Sequence, residues 1–160
     1  MAFTKEGRAQ SAMEYLTTYS WAILVIGITL GALYALGLFN PQNVVNNQCV
    51  FSADFSCVSQ FLYSNGTLSV TLEQSTPYAI NVTAIGCNTG INTSYMTQLS
   101  TPVYVPIGGT TTFTTSCYAN GSIISDQPGQ LYRGYILVNY TSLGTGFQHI
   151  LTGTLIQKTT

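Results

Sequence analysis

The sequence predicts an α+β chain in which one long hydrophobic N-terminal α-helix precedes an antiparallel β-sandwich. Three observations predict it. Only 6% of the 160 residues are charged while 46% are hydrophobic, whereas an ordinary soluble domain is about a quarter charged. From Tyr15 through Ala53 there is no Asp, Glu, Lys or Arg, and inside that run Trp21 to Phe39 forms nineteen almost purely apolar residues. After it, β-branched and aromatic runs recur at short intervals between glycines and asparagines, which is the pattern of strands and turns. The expected divisions are a short charged N-terminal segment, a helix ending at residue 40 and a β domain over 41–160.

The same arithmetic excludes several classes. A formal net charge of -1 with high hydrophobicity does not describe a disordered tail. Four Lys and Arg spread over the whole chain cannot neutralise a phosphate backbone, so nucleic acid is not an expected partner.

The helix comes first in the chain. Ser11 followed by Glu14 has the spacing of a capping box, and Asn40-Pro41 would end the rod because the residue before proline is driven out of the α region. From Ser11 to Phe39 such a rod is roughly 43 Å long at ~1.5 Å per residue, more than the ~30 Å of a bilayer's hydrocarbon. A helix that is apolar all round has to be buried in lipid or in protein. Gly27, Gly31 and Ala35 fall one turn apart on one face, a spacing that lets helix backbones approach closely and that is also ordinary composition for an apolar helix.

Lys5 and Arg8 lie just before the apolar run. The positive-inside rule therefore puts the N-terminus in the cytoplasm and everything after Phe39 outside. Cys49, Cys57, Cys87 and Cys117 all fall in the exported part, where disulfides form. Four cysteines allow three pairings; the nearest-neighbour choice is Cys49 with Cys57 and Cys87 with Cys117. No CxxC spacing occurs, and neither a metal nor a cofactor is expected.

The leader Lys5-Glu-Gly-Arg-Ala9, then Gln10-Ser-Ala-Met-Glu-Tyr15, then the apolar run, resembles the class III signal peptide of archaeal type IV pilins. The resemblance covers about the first quarter of the chain. It implies cleavage by a prepilin peptidase between Ala9 and Gln10, which makes residues 1–9 a leader, with the helix over 10–40 kept on the mature subunit as its polymerisation element. It also implies a role for Glu14, whose carboxylate would meet the new N-terminal amine of a neighbouring copy. Ala9 stands where many members carry glycine. Further implications are membrane insertion before assembly, a helical homopolymer, and a membrane platform with an ATPase as partners. The expected function is thus a structural subunit of an extracellular, pilus-like filament for adhesion. An archaellin shares the same signal class, and a solitary membrane-anchored carbohydrate-binding domain is the alternative outside the filament class.

In the β domain, strands are expected at residues 58–63, 67–73, 78–85, 103–107, 111–118, 122–125, 135–140 and 147–156. Asn65-Gly66 and Asn120-Gly121 sit between such runs and read as tight hairpin turns. Eight short strands at this spacing fit a sandwich. The stretch from Tyr104 to Phe113, YVPIGGTTTF, resembles the strand-turn-strand of immunoglobulin-like surface domains. Surface polarity comes from 23 threonines and 14 serines. Five sequons, at Asn65, Asn81, Asn92, Asn120 and Asn139, are candidate glycosylation sites, with Asn65 and Asn120 at turns and Asn81 and Asn139 in mid-strand.

Catalysis needs a nucleophile, an acid/base pair or a metal cluster in mutual reach. His149 is the only histidine and sits in a strand-like run, Asp54, Glu73 and Asp126 carry no supporting motif, and Arg133 lies between tyrosines in Leu-Tyr-Arg-Gly-Tyr. No Walker A, HExxH or GxSxG occurs. The sequence therefore gives no expectation of an enzyme.

Overall fold

The computed structural model describes residues 6–39 and 45–160, with side chains in the first segment from residue 13 onward. The chain divides between Val45 and Asn46 into a helical unit and a sheet unit. Helix α1 runs Glu6–Ala35, ~45 Å at ~1.5 Å per residue. It is already helical at Glu6, so Ser11 lies inside it and the Ser11–Glu14 capping box is not its start. Residues 6–10 supply enough helix formers to carry the rod upstream.

The C-terminal end is also set earlier than Asn40-Pro41, which lies outside the described residues. Gly37 has φ 69°, its N–H donates to the Tyr34 carbonyl and the Leu38 N–H donates to the Leu33 carbonyl. That is a Schellman cap, in which a left-handed glycine lets the chain satisfy the last carbonyls. Within α1 four described side-chain hydroxyls turn back onto the helix's own backbone. Thr17 donates to the Met13 and Glu14 carbonyls, Thr18 to Glu14, Ser20 to Thr17 and Thr29 to Ile26, at 2.8–3.0 Å.

The sheet unit holds β1 (Gln48–Phe51), β2 (Phe55–Leu62), β3 (Thr67–Gln74), β4 (Ile80–Asn88), a 3₁₀ turn (Thr93–Tyr95), β5 (Met96–Val105), β6 (Thr110–Ala119), β7 (Ser122–Ile123), β8 (Leu131–Ser142) and β9 (Gln148–Lys158). All eight expected strands are present. The main additions are β1 and the first seven residues of β5, 96–102. Alternation sets the inward face: Leu68, Val70 and Leu72 of β3 are buried while the residues between them are half-buried, the period of two that a one-sided core demands.

Pairing follows the order β1-β9-β8-β4-β6-β3-β2, with β5 on β4 and β7 on β6. This corrects the expectation of purely antiparallel pairing. The sheet is mixed, because β4 and β6 run parallel where Cys87 faces Cys117 and Asn88 faces Tyr118. It is also one connected, nearly barrel-like surface. β4 pairs with β8 along its length on one side; on the other it pairs with β5 up to Gly86 and then with β6. A register shift between Val82 and Ala84 bends the strand within this stretch. The two end strands of the path, β1 and β2, are joined by the Cys49–Cys57 disulfide, and Leu62 of β2 bridges to Thr159.

The two Asn-Gly turns differ. Asn120 and Gly121 have φ 51° and 86°, as a type I′ hairpin requires, and join β6 to β7. At Asn65-Gly66 only Gly66 has positive φ, at 82°, and a Cβ there would lie 2.5 Å from the Ile124 carbonyl oxygen. The Tyr104–Phe113 segment is strand-turn-strand as expected, yet β5 pairs with β4 and β6 with β3.

Candidate functional site

Two features carry functional chemistry: the apolar helix and a small set of polar groups on the sheet unit. Met13–Ala35 is long and apolar enough to cross a membrane, and none of it is buried. Ile23, Leu24, Val25, Ile26, Ile28 and Leu30 are 47–63% exposed. Burying a side chain of this kind fully contributes about 1.5–3 kcal/mol, so covering these six yields on the order of 5 kcal/mol or more. Because the hydroxyls of Thr17, Thr18, Ser20 and Thr29 are bonded internally, the medium that covers the helix need supply them no partner.

Glu14 sits in the second turn past Gln10, exposed, at the head of the charge-free run. Tyr15 and Tyr19 pack their rings 4.5 Å apart beside it. The backbone of Ala9 and Gln10 belongs to α1, and their side chains lie outside the described ones. A Cβ built on Gly27 or Gly31 meets nothing within 4 Å, and Ala35 is exposed one turn further on. The three positions form a flat stripe open to a neighbour.

The cysteines pair as Cys49–Cys57 and Cys87–Cys117, with Cα atoms 5.9 and 4.4 Å apart. Cys87 and Cys117 are fully buried and directly opposed in the parallel ladder. Among the sequons, Asn65, Asn92 and Asn120 are exposed, whereas Asn81 and Asn139 are half-buried in β4 and β8. Asn65 and Asn92 each accept a hydrogen bond from the backbone N–H two residues on, at 3.0 and 2.9 Å. The Asn139 side-chain oxygen is buried without a partner among the described residues.

The ionisable groups are less scattered than the sequence implies. Glu73 and Asp126 are half-buried apart from one another on β3 and the β7–β8 loop, and Arg133 is exposed on β8 over a shallow hollow with Tyr135, Thr154 and Ile156. Asp54 and His149, 95 positions apart in the sequence, meet at Tyr140. The Tyr140 hydroxyl donates to Asp54 Oδ2 at 2.9 Å, and the His149 ring stacks on the Tyr140 ring at 5.4 Å. Burial first, then the hydrogen bond to Asp54 and its negative charge, pushes the Tyr140 hydroxyl up to about 12. Burial likewise raises the Tyr132 hydroxyl, which donates to the Tyr118 carbonyl.

Asp54 reaches this place through an unusual turn. Its φ is 63° and the Phe55 N–H donates to the Ala53 carbonyl, a three-residue γ-turn of the rarer, positive-φ kind. Nothing in Ser-Ala-Asp-Phe signals it. Among the described residues no group of three His, Cys, Asp or Glu could hold a metal. No family model matches the chain, and no curated protein matches it.

Proposed function

We propose that this chain is a structural subunit of an extracellular, type IV pilus-like filament that attaches cells to surfaces. The observation that carries the reading is α1: a rod free of charge from Tyr15 onward and unburied, with the hydroxyls of Thr17, Thr18, Ser20 and Thr29 closed on its own backbone. Such a rod must leave water, and it suits both a bilayer and a bundle of its own copies. The preceding Gln10-Ser-Ala-Met-Glu-Tyr15 motif adds the processing step.

In this reading a prepilin peptidase cuts between Ala9 and Gln10 after the helix has inserted with its N-terminus in the cytoplasm. A platform and an ATPase then move subunits from lipid into the fibre. Glu14 pairs with the amine of Gln10 in a neighbour and fixes the stagger, because an unpaired carboxylate in a dry core is strongly unfavourable. The Gly27, Gly31 and Ala35 stripe lets rods approach. The disulfide-bonded sheet unit, glycosylated at exposed sequons, faces outward.

Mass spectrometry of sheared surface filaments tests the proposal. The expected result is a fibre whose subunit begins at Gln10 and retains the helix. A monomeric protein with an intact leader, resident in the membrane, refutes it and favours the anchored binding domain. A deletion strain that loses attachment but swims is a pilus mutant; loss of swimming identifies an archaellum instead.

A further inference from the structure

The hollow around Asp54 is assembled from four separate parts of the sheet unit. Asp54 comes from the β1–β2 turn, Thr76, Pro77 and Tyr78 from the β3–β4 loop, Tyr140 and Ser142 from the end of β8, and Thr145 and His149 from the β8–β9 hairpin. It is an open hollow of about 230 Å³, room for a single small ring. Backbone bonds lock the parts together: the Ser75 N–H donates to the Asp54 carbonyl at 2.7 Å and the Leu143 N–H to the Ala79 carbonyl at 2.9 Å.

Tyr78 is the informative residue. It is 49% exposed, and an exposed tyrosine ordinarily turns freely. Here its backbone carbonyl accepts from Gln74 Nε2 at 2.6 Å and from Thr76 Oγ1 at 2.7 Å. Its ring lies against Gly144 so closely that a Cβ on that glycine would overlap the ring atoms. The ring is therefore held in place with half its surface bare. The other aromatic of the hollow, Tyr140, is 3% exposed and already engaged, stacked by His149 and met edge-on by Phe55 at 5.5 Å.

One bare aromatic surface beside an acceptor carboxylate distinguishes among ligands. A quaternary ammonium wants a cage of several aromatic faces, and only Tyr78 has one to give. A wholly apolar ligand would waste Asp54, His149 and the hydroxyls of Thr76, Ser142 and Thr145. A pyranose has an apolar C–H face for one ring and adjacent hydroxyls for one carboxylate, whose charge-assisted hydrogen bonds are the strong ones. We propose that the hollow formed by Asp54, Tyr78, Thr145 and His149 is a binding site for one neutral pyranose unit of a glycan. The sugar ring lies on Tyr78, and two of its hydroxyls donate to Asp54. The γ-turn strain at Asp54 is the kind of local cost found at ligand sites. This site belongs to the sheet unit and stands whether or not the chain polymerises.

The test is NMR titration of the full chain in a zwitterionic, sugar-free detergent, using methyl glucoside, galactoside, mannoside and N-acetylglucosaminide, with tetramethylammonium as the competing probe. Saturable shifts of the Tyr78 and His149 signals with at least one pyranoside are expected. Asp54→Asn should weaken that binding about tenfold or more, the loss of one charge-assisted hydrogen bond; asparagine tolerates positive φ, so the turn survives. Tyr78→Ala should abolish binding, Gly144→Ala should weaken it by displacing the ring, and Tyr104→Ala, at an exposed tyrosine outside the hollow, should leave it unchanged. Absence of shifts with every pyranoside, shifts equal in wild type and Asp54→Asn, or saturation by tetramethylammonium instead overturns the proposal.

Discussion

Replacing both Cys87 and Cys117 by alanine should destabilise the sheet unit more than replacing Cys49 and Cys57. The two bridges close loops of different length, with sequence separations of 30 and 8. On the chain-entropy account a cross-link is worth about 2.1 + 1.5R ln n cal/mol/K, which at 25 °C gives about 3.6 kcal/mol for the longer loop and about 2.5 for the shorter. The surroundings enlarge the gap. Cys87 and Cys117 are fully buried, so two lost sulfurs also leave a cavity, whereas Cys49 and Cys57 are only partly buried. At an unfolding entropy of ~2.1 cal/mol/K per residue, a unit of this size loses about 4 °C of Tm per kcal/mol, or about 15 °C against about 10 °C. The readout matters, because the single tryptophan, Trp21, lies in α1 and its fluorescence does not follow the sheet. Thermal melts recorded by β-sheet circular dichroism are the appropriate assay. Equal losses, or a larger loss for Cys49 and Cys57, would refute the idea that Cys87–Cys117 secures the parallel junction of β4 with β6.

Three further outcomes are expected. The contribution of Tyr140 to stability should be fully present below pH 10 and be lost as pH rises from about 10 to 12, because Tyr140 is held protonated in the fold up to about 12 but ionises near 10.0 when unfolded; a denaturant midpoint unchanged across that interval contradicts this. The double substitution Gly27→Ile and Gly31→Ile should leave membrane insertion intact, since it adds apolar surface, while abolishing filaments seen by electron microscopy. Glycopeptide mass spectrometry should find glycans at Asn65, Asn92 and Asn120 and none at Asn139, whose side-chain oxygen is buried; dominant occupancy of Asn139 would run against the exposure argument.

The helix was legible because hydropathy over nineteen residues overwhelms local detail, while its two ends were not. The Ser11–Glu14 spacing recurs inside helices, and Gly37 ends the rod four residues ahead of the proline although it is one of several glycines in the apolar run. Strands such as β3 and β6 follow from alternation and β-branched content. β1 does not stand out because Gln48-Cys-Val-Phe51 follows the amide-rich run Gln42-Asn-Val-Val-Asn-Asn47 without a turn signal to set it off. Choosing Cys87 with Cys117 names the two strands that meet, but not that β4 and β6 run parallel there, a long-range matter that local pattern does not carry. The Asp54–Tyr140–His149 convergence was hidden for the same reason: each residue looks like a turn or strand position by itself, the β8–β9 register sets Tyr140 opposite His149, and the β1–β2 turn brings Asp54 to the Tyr140 hydroxyl.

The Cys49–Cys57 bond has a mechanical consequence. Load carried along the chain from α1 enters the sheet unit at its first strand, β1, which is held to β9 by a four-residue antiparallel ladder. Tension there would unzip the strand from its end, but Gln48 is the sole ladder residue before the bridge. Peeling stops at Cys49, and the pull passes covalently into β2, so the tether cannot be drawn out of the unit while that sulfur link stays oxidised.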